Sequence, residues 1–499
     1  MHPSVVPLLL VGATSASAAL QVEFGSSSSI KAAAKDVAFD VMSFYRGNQS
    51  GQIPGLVSQP PPGGDYSWWT GAVLWSTMLD YWYYSDDGTY NAESLNGLVW
   101  QSGPDLQHPF MPPNWTASLG NDDEGLWGMT AMQAAEQNFP RPPAADPSWI
   151  ELAQAVFEVQ AARYAADDAC NGGLRWQLSP VNQGYMYKNT VSTAVFLNLG
   201  ARLARYTGNQ TYAEWAGKAW EWLSDVGYID AKYNVYDGAA IESNCSDIDK
   251  LQFSLAPAVL LQAAAYMYNQ VHDRQNPTIH LADPPHRPHR PHPNRLLPPS
   301  DAASTSTSTT TNATGPLVES ACELSAGKTT CSSDMLFYKG VLLRALASAA
   351  QLAPFLRDAV AAPLRTTAEA AVASCAGGKS GRACAFRWAD DGADDLRGAP
   401  PEELNALSAV LVGGVLREEV AAGKGVATNG TAKPGDSSGG GDGGNGASDS
   451  GSGSGSSGSG NGAGAGTGSQ GNGAGKATGA ATRIGFGLVL AALVAVMMS

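Results

Sequence analysis

From about Ser28 to Ala422 the apolar residues recur with the period of an α-helix, and this pattern sets what the chain can become. Ile30, Ala33, Ala34, Val37, Val41 and Phe44 share one face, and Trp69, Ala72, Val73, Leu79 and Trp82 share the next. Leu126, Met129, Ala131, Met132 and Ala135 form a third; Leu152, Ala153, Val156, Phe157 and Ala161 form a fourth. Further helices are expected over 191–205, 212–223, 251–268, 335–352, 364–373 and 402–417, with weaker ones at 92–101 and 317–324. That makes about twelve helices separated by Gly, Pro, Asn and Asp, with little strand-like alternation. An all-α chain of this kind closes as a stack or ring of helix pairs. No sequence period repeats, which disfavours a simple solenoid and leaves a closed ring in one domain, residues 20–422.

The flanking segments cannot join that core. Val5 to Gly12 is apolar and runs into the small residues Ala13 to Ala19, which reads as a secretory leader over 1–19 with a cleavage site near Ala16-Ser17-Ala18. Residues 423–483 are mostly Gly, Ser, Ala and Asn, a composition that remains a flexible stalk. Ile484 to Ser499 is apolar but short of the roughly 20 residues that a membrane span needs. Small residues around Asn472, a polar spacer and this tail form a GPI-attachment signal with Asn472 as the attachment site. A tail-anchored span is the alternative. The folded part is thus expected outside the cell, at the outer face of the plasma membrane or in the wall.

Sequons at Asn48, Asn114, Asn209, Asn244, Asn312 and Asn429 fit that address. So do the six cysteines, which suggest disulfides, although six leave many connectivities open. Cys322 with Cys331 and Cys375 with Cys384 are close enough in sequence to pair locally, leaving Cys170 for Cys245. None has C-x-x-C spacing, so no metal is expected there, and no cofactor is expected anywhere. The 30 basic and 45 acidic residues give a net charge of −15, which argues against nucleic acid or an anionic membrane surface as partner.

His272 to Pro316 breaks the helical pattern with His, Pro, Ser and Thr. It reads as a disordered, O-glycosylated insertion. The alternative is a polyproline helix whose His286, His289 and His292 line one edge and hold a metal ion.

The chemistry concentrates at Asn121 to Glu124, where a helix begins after a Gly. One reading is purely local. Asn121 caps the helix, Glu124 closes a capping box, and the acids Asp122 and Asp123 sit where the helix dipole favours negative charge. The other reading is a carboxylate pair for glycoside hydrolysis, which in retaining enzymes needs carboxyl groups about 5 Å apart in different protonation states. Trp68, Trp69, Trp127, Trp176, Tyr185 and Tyr187 are candidate rings for stacking on sugar, or else core.

The block GNDDEGLWGMTAMQAAEQNFP (Gly120 to Pro140) resembles the GNDDQ-x-x-WG-x-x-A-x-x-AAE-x-x-FP block of glycoside hydrolase family 76, whose fungal members are GPI-anchored mannan endo-1,6-α-mannosidases. Further blocks agree in order: Asp65 to Asn91, Pro147 to Tyr164, Cys170 to Gln177, Tyr187 to Asn209, Tyr212 to Asp230, Val235 to Gly238 and Cys331 to Ala347. The resemblance implies an (α/α)₆ barrel with a groove across one end and a retaining mechanism. Asp122 would be the nucleophile and Asp123 the general acid/base. Trp69, Asn121, Trp127, Trp176, Tyr187, Lys188, Asn189 and Asp237 would bind substrate. It also implies action on α-1,6-mannan or on mannosyl glycans of GPI-anchored wall proteins, with transfer to wall glucan as well as hydrolysis. Glu124 replaces the usual Gln, and Gln252 to Val259 departs from the expected pattern. A non-catalytic glycan-binding wall protein on the same scaffold is therefore the second reading.

Overall fold

The computed structural model describes residues 19–59, 66–112, 119–273, 315–323, 330–378, 380–389 and 398–415. The cleavage site, most of the His/Pro insertion, the stalk, the apolar tail, Asn114, Asn312, Asn429 and Asn472 lie outside them. The described helices are α1 (Ser27–Phe44), α2 (Thr70–Ser85), α3 (Asn91–Gln101), α4 (Asn121–Glu136), α5 (Trp149–Ala166) and α6 (Thr190–Thr207). They continue with α7 (Gln210–Asp225), α8 (Leu255–Asp273), α9 (Ser320–Glu323), α10 (Tyr338–Leu352), α11 (Arg357–Ser374) and α12 (Pro400–Val415).

The even-numbered helices form an inner ring. α2 packs on α4, α4 on α6, α6 on α8, α8 on α10, α10 on α12, and α12 returns to α2. Outside it, α1 rests on α12 and α2, α3 on α2, α5 on α4 and α6, α7 on α6, and α11 on α10 and α12. Composition explains the two layers. Every residue of α6 from Thr190 to Ala204 is buried, so this helix has no polar face for water. By contrast, α7 buries only Tyr212, Ala213, Ala216, Ala219, Trp222 and Leu223, a single stripe at helical spacing. The close approach of α4 to α6 depends on Gly125, where a Cβ would lie 2.3 Å from a Val195 methyl.

Of the helix boundaries that differ from the sequence expectation, two lie beside a proline. Residues 251–254 are not helical. α8 begins at Leu255, with Pro257 in its first turn, where a missing N–H costs nothing. α11 begins before Pro363, not after it: the proline removes one donor, and the helix continues to Ser374.

Three short strands, β1 (Tyr187–Asn189), β2 (Gly238–Ala240) and β3 (Ile248–Asp249), form an antiparallel sheet in that order. Disulfides join Cys170 to Cys245, Cys322 to Cys331 and Cys375 to Cys384. Toward the helix C-termini the ring interior carries buried ion pairs. Arg202 meets Glu136 at 2.7 Å, with the Tyr266 hydroxyl donating to the same carboxylate, and Arg344 meets Asp80 at 3.3 Å.

Candidate active site

Five inner helices bring their N-terminal ends to one open trough of 370 Å³. Trp68 and Trp69 precede α2, Asp122 and Asp123 open α4, and Tyr187 and Asn189 of β1 precede α6. Phe253 and Leu255 lead into α8, and Asp334 and Tyr338 lead into α10; Trp176, Gln177 and Asp237 complete the walls. Helix N-termini present unpaired N–H groups and positive partial charge, so this end of the ring suits acids. Among the described residues, four carboxyl groups line the trough, from Asp122, Asp123, Asp237 and Asp334, and neither lysine nor arginine does.

α4 is capped one residue earlier than the sequence suggests. Gly120, not Asn121, is the N-cap, and Asp123, not Glu124, is the third helical residue, its Oδ2 accepting the Gly120 N–H at 2.7 Å. The approach is pinned from outside the helix. The Asn121 N–H donates to the Trp176 carbonyl at 2.8 Å, and the Leu178 N–H donates to the Leu119 carbonyl at 3.0 Å. A Cβ on residue 120 would lie 2.2 Å from Asp122 Oδ1 and 3.0 Å from the Trp176 carbonyl, so the glycine leaves the Asp122 carboxyl its place.

The two acids of the pair have different partners. Asp122 Oδ2 accepts from Asn189 Nδ2 at 2.9 Å, and its Oδ1 accepts the Asp123 N–H at 3.0 Å. Burial raises the Asp122 carboxyl while these donors oppose the rise; Asp334 adds to it, and the group is pushed up to about 6. Asp123 is raised well above the usual carboxylate range, first by burial and then by the charge of Asp122, against the single Gly120 N–H. Proton loss therefore begins at Asp122, and Asp123 retains its proton to higher pH. Asp237 is also raised by burial, against a 2.8 Å hydrogen bond from the Tyr187 hydroxyl.

Trp69, Trp176, Tyr187, Asn189 and Asp237 reach the trough, as do the two aspartates. Trp176 is 38% exposed, and its ring packs against Gly184, where a Cβ would sit 2.3 Å from it. Three expected substrate contacts do not reach the trough. Lys188 is fully buried, because alternate residues of β1 point to opposite sides: Tyr187 and Asn189 face the trough, and Lys188 faces the interior. There its Nζ donates to the Ala169 and Gly172 carbonyls at 2.7 and 2.6 Å and pairs with Asp167 at 3.2 Å. Trp127 is buried between Trp68 and Phe110, with centroids 5.2 and 5.6 Å away, and supports Trp68 from behind. Asn121 holds the scaffold, donating to the Arg175 carbonyl at 2.8 Å and accepting from Arg163 at 3.0 Å. Tyr185 instead lies under the Arg175 guanidinium, 4.4 Å from its ring centroid.

Glu124 points away from the pair into a buried bidentate contact with Arg163, supported by Gln160. Asp334, Tyr338 and Phe253 line the trough without having been picked out from the sequence. Asp334 and Tyr338 fall in the Cys331 to Ala347 block and Phe253 in the 252–259 stretch, and each lies at or just ahead of the first residue of an inner helix.

A ring of six inner helices with paired acids at its N-terminal rim defines a glycosidase of the (α/α)₆ class. The family model for glycosyl hydrolase family 76 matches residues 29–421, and the chain belongs to that family. It is 37% identical over 402 residues to mannan endo-1,6-alpha-mannosidase DCW1 of Saccharomyces cerevisiae, covering 79% of this chain and 81% of that one. The structure of Dfg5 from Chaetomium thermophilum in complex with glucosamine superposes with a TM-score of 0.70 at 40% identity, covering 82% of this chain and 94% of that one. The α-1,6-mannanase of Salegentibacter sp. HEL1_6, at 14% identity and a TM-score of 0.53 over 78% of this chain and 100% of that one, shares the fold.

Proposed function

We propose that the chain is a retaining mannosidase acting on α-1,6-linked mannose, with Asp122 as nucleophile and Asp123 as general acid/base. The observation that carries this reading is the Asp122–Asp123 pair, open to one trough and held by different partners, so that one acid ionises before the other. In the first step the Asp122 carboxylate bonds to the anomeric carbon, the glycosidic C–O bond breaks, and Asp123 gives its proton to the leaving oxygen. In the second step Asp123 takes a proton from an incoming hydroxyl, whose oxygen bonds to the anomeric carbon and releases Asp122. Water as acceptor gives hydrolysis; a sugar hydroxyl gives transfer.

The donor class is α-1,6-mannan or the mannosyl glycans of GPI-anchored wall proteins, with wall glucan as acceptor. The enzyme itself is extracellular and held by a GPI anchor. Support comes from the leader and tail composition and from the similarity to fungal mannosidases. The test is turnover of α-1,6-mannan oligosaccharides by the purified ectodomain and by Asp122→Asn. Loss of turnover by a factor of about 1,000 or more is expected for the variant. Equal turnover by both proteins contradicts the assignment, and binding of mannan by both with turnover by neither favours the glycan-binding reading. Release of the native protein from membranes by phosphatidylinositol-specific phospholipase C tests the anchor.

A further inference from the structure

Asp334 lies across the ring from the carboxylate pair. It stands at the entrance to α10, and α10 is three places from α4 in the six-membered inner ring, the opposite position. It lines the same trough as Asp122 and Asp123, and its charge acts on both. Its orientation is fixed. Trp69 Nε1 donates to Asp334 Oδ1 at 3.1 Å, and the Trp69 ring is itself held against Phe337 and Tyr338, with centroids 5.9 and 6.0 Å away. Among the described residues no donor reaches the other oxygen, Oδ2.

We propose that Asp334 is a substrate-orienting residue of this site, accepting hydroxyls of the sugar whose anomeric carbon meets Asp122. The inference rests on the function proposed above and adds a residue to it. A carboxylate with one oxygen anchored and the other free is preset to take hydroxyl hydrogen bonds, so little reorganisation is needed on binding. A sugar spanning the trough then has the reacting pair on one wall and Asp334 on the other. Positive charge developing at the anomeric carbon is also stabilised by a negative group that, among the described residues, no trough-lining lysine or arginine offsets.

The test compares the ectodomain with Asp334→Asn, which keeps the shape and removes the charge, and with Trp69→Phe, which keeps a ring and removes the anchoring N–H. Binding of α-1,6-mannobiose is followed by tryptophan fluorescence, and kcat/KM is measured against pH. For Asp334→Asn, binding weakens about tenfold and kcat/KM falls about 100-fold. Both limbs of its pH profile move to lower pH, because a negative charge that raises Asp122 and Asp123 is gone. For Trp69→Phe, kcat/KM falls about tenfold with both limbs in place, because the charge remains. Unchanged binding with unmoved limbs in Asp334→Asn overturns the proposal, whether or not turnover falls. An Asp122→Asn variant that turns over normally sinks the functional reading instead, and the mannobiose titration still decides the role of Asp334.

Discussion

Asn189 uses both ends of its amide: Oδ1 accepts the Ser192 N–H at 3.1 Å and caps α6, while Nδ2 donates to Asp122 Oδ2 at 2.9 Å. The cap settles which way the amide faces, so the start of one inner helix orients the nucleophile carried by another. The Asn189→Asp variant separates the two roles. Aspartate caps a helix as well as asparagine, so thermal stability is expected to hold. The donor to Asp122 becomes a second carboxylate, which raises the Asp122 carboxyl further and moves the acid limb of kcat/KM to higher pH, with activity down about 100-fold. Kinetics against pH, paired with a thermal melt, measures both.

The wild-type pH profile is expected to be bell-shaped. Activity rises as Asp122 loses its proton near about 6 and falls when Asp123, which is held higher, loses its own. Neutralising the acid in Asp123→Asn is expected to abolish the alkaline limb for substrates with activated leaving groups, which need no proton. Retention of that limb in the variant would assign it to another group.

Stability has its own pH dependence. Glu319, Glu402 and Glu403 are buried, and each carboxyl is raised to about 7 by burial. A carboxyl raised in the folded state stabilises the fold fully below its unfolded value of about 4 and loses that contribution as pH rises through its folded value. The melting temperature is therefore expected to be higher at pH 5 than at pH 7.5. The Glu402→Gln variant should narrow that gap, as thermal melts at the two pH values would show.

Gly120→Ala is expected to remove activity with little effect on folding. The added methyl would meet Asp122 Oδ1 at 2.2 Å and push the nucleophile off its Asn189 contact. A loss of about 100-fold in kcat/KM at nearly unchanged melting temperature is the expected pair of readings.

Glu124→Gln should do the reverse. Glu124 faces Arg163 rather than the trough, so kcat/KM is expected to stay within about threefold. The fold is expected to lose about 1–2 kcal/mol, less than for a fully buried pair, because the Arg163 side chain is 30% exposed. Chemical denaturation and steady-state kinetics on one preparation check both.

Much of this organisation is legible in the sequence. Helical periodicity marks outer helices such as α7, which bury a single stripe, whereas α6 is buried all round and shows in the sequence as a long, largely apolar run. The acidic doublet stands out because two carboxylates open a helix that a single cap would satisfy. What periodicity misses is direction. Lys188 sits between two trough residues in sequence, yet a three-residue strand turns it inward, and no alternation that short is visible in advance. Trp127 and Trp69 look alike as aromatic residues of neighbouring helices, but one is fully buried in a ring stack and the other reaches the trough. Asp334 does not stand out as a site residue in the sequence because an isolated acid ahead of a helix looks like an ordinary dipole partner. Only closure of the ring sets it opposite Asp122.

The most direct test is capture of the covalent intermediate. Asp123→Asn is incubated with an α-mannosyl fluoride, whose fluoride leaves without a proton, and the digested protein is weighed by mass spectrometry. The expected result is one mannosyl group on the peptide carrying Asp122, released on adding azide. Release of inverted mannose with no adduct would contradict the assignment of Asp122 as a nucleophile.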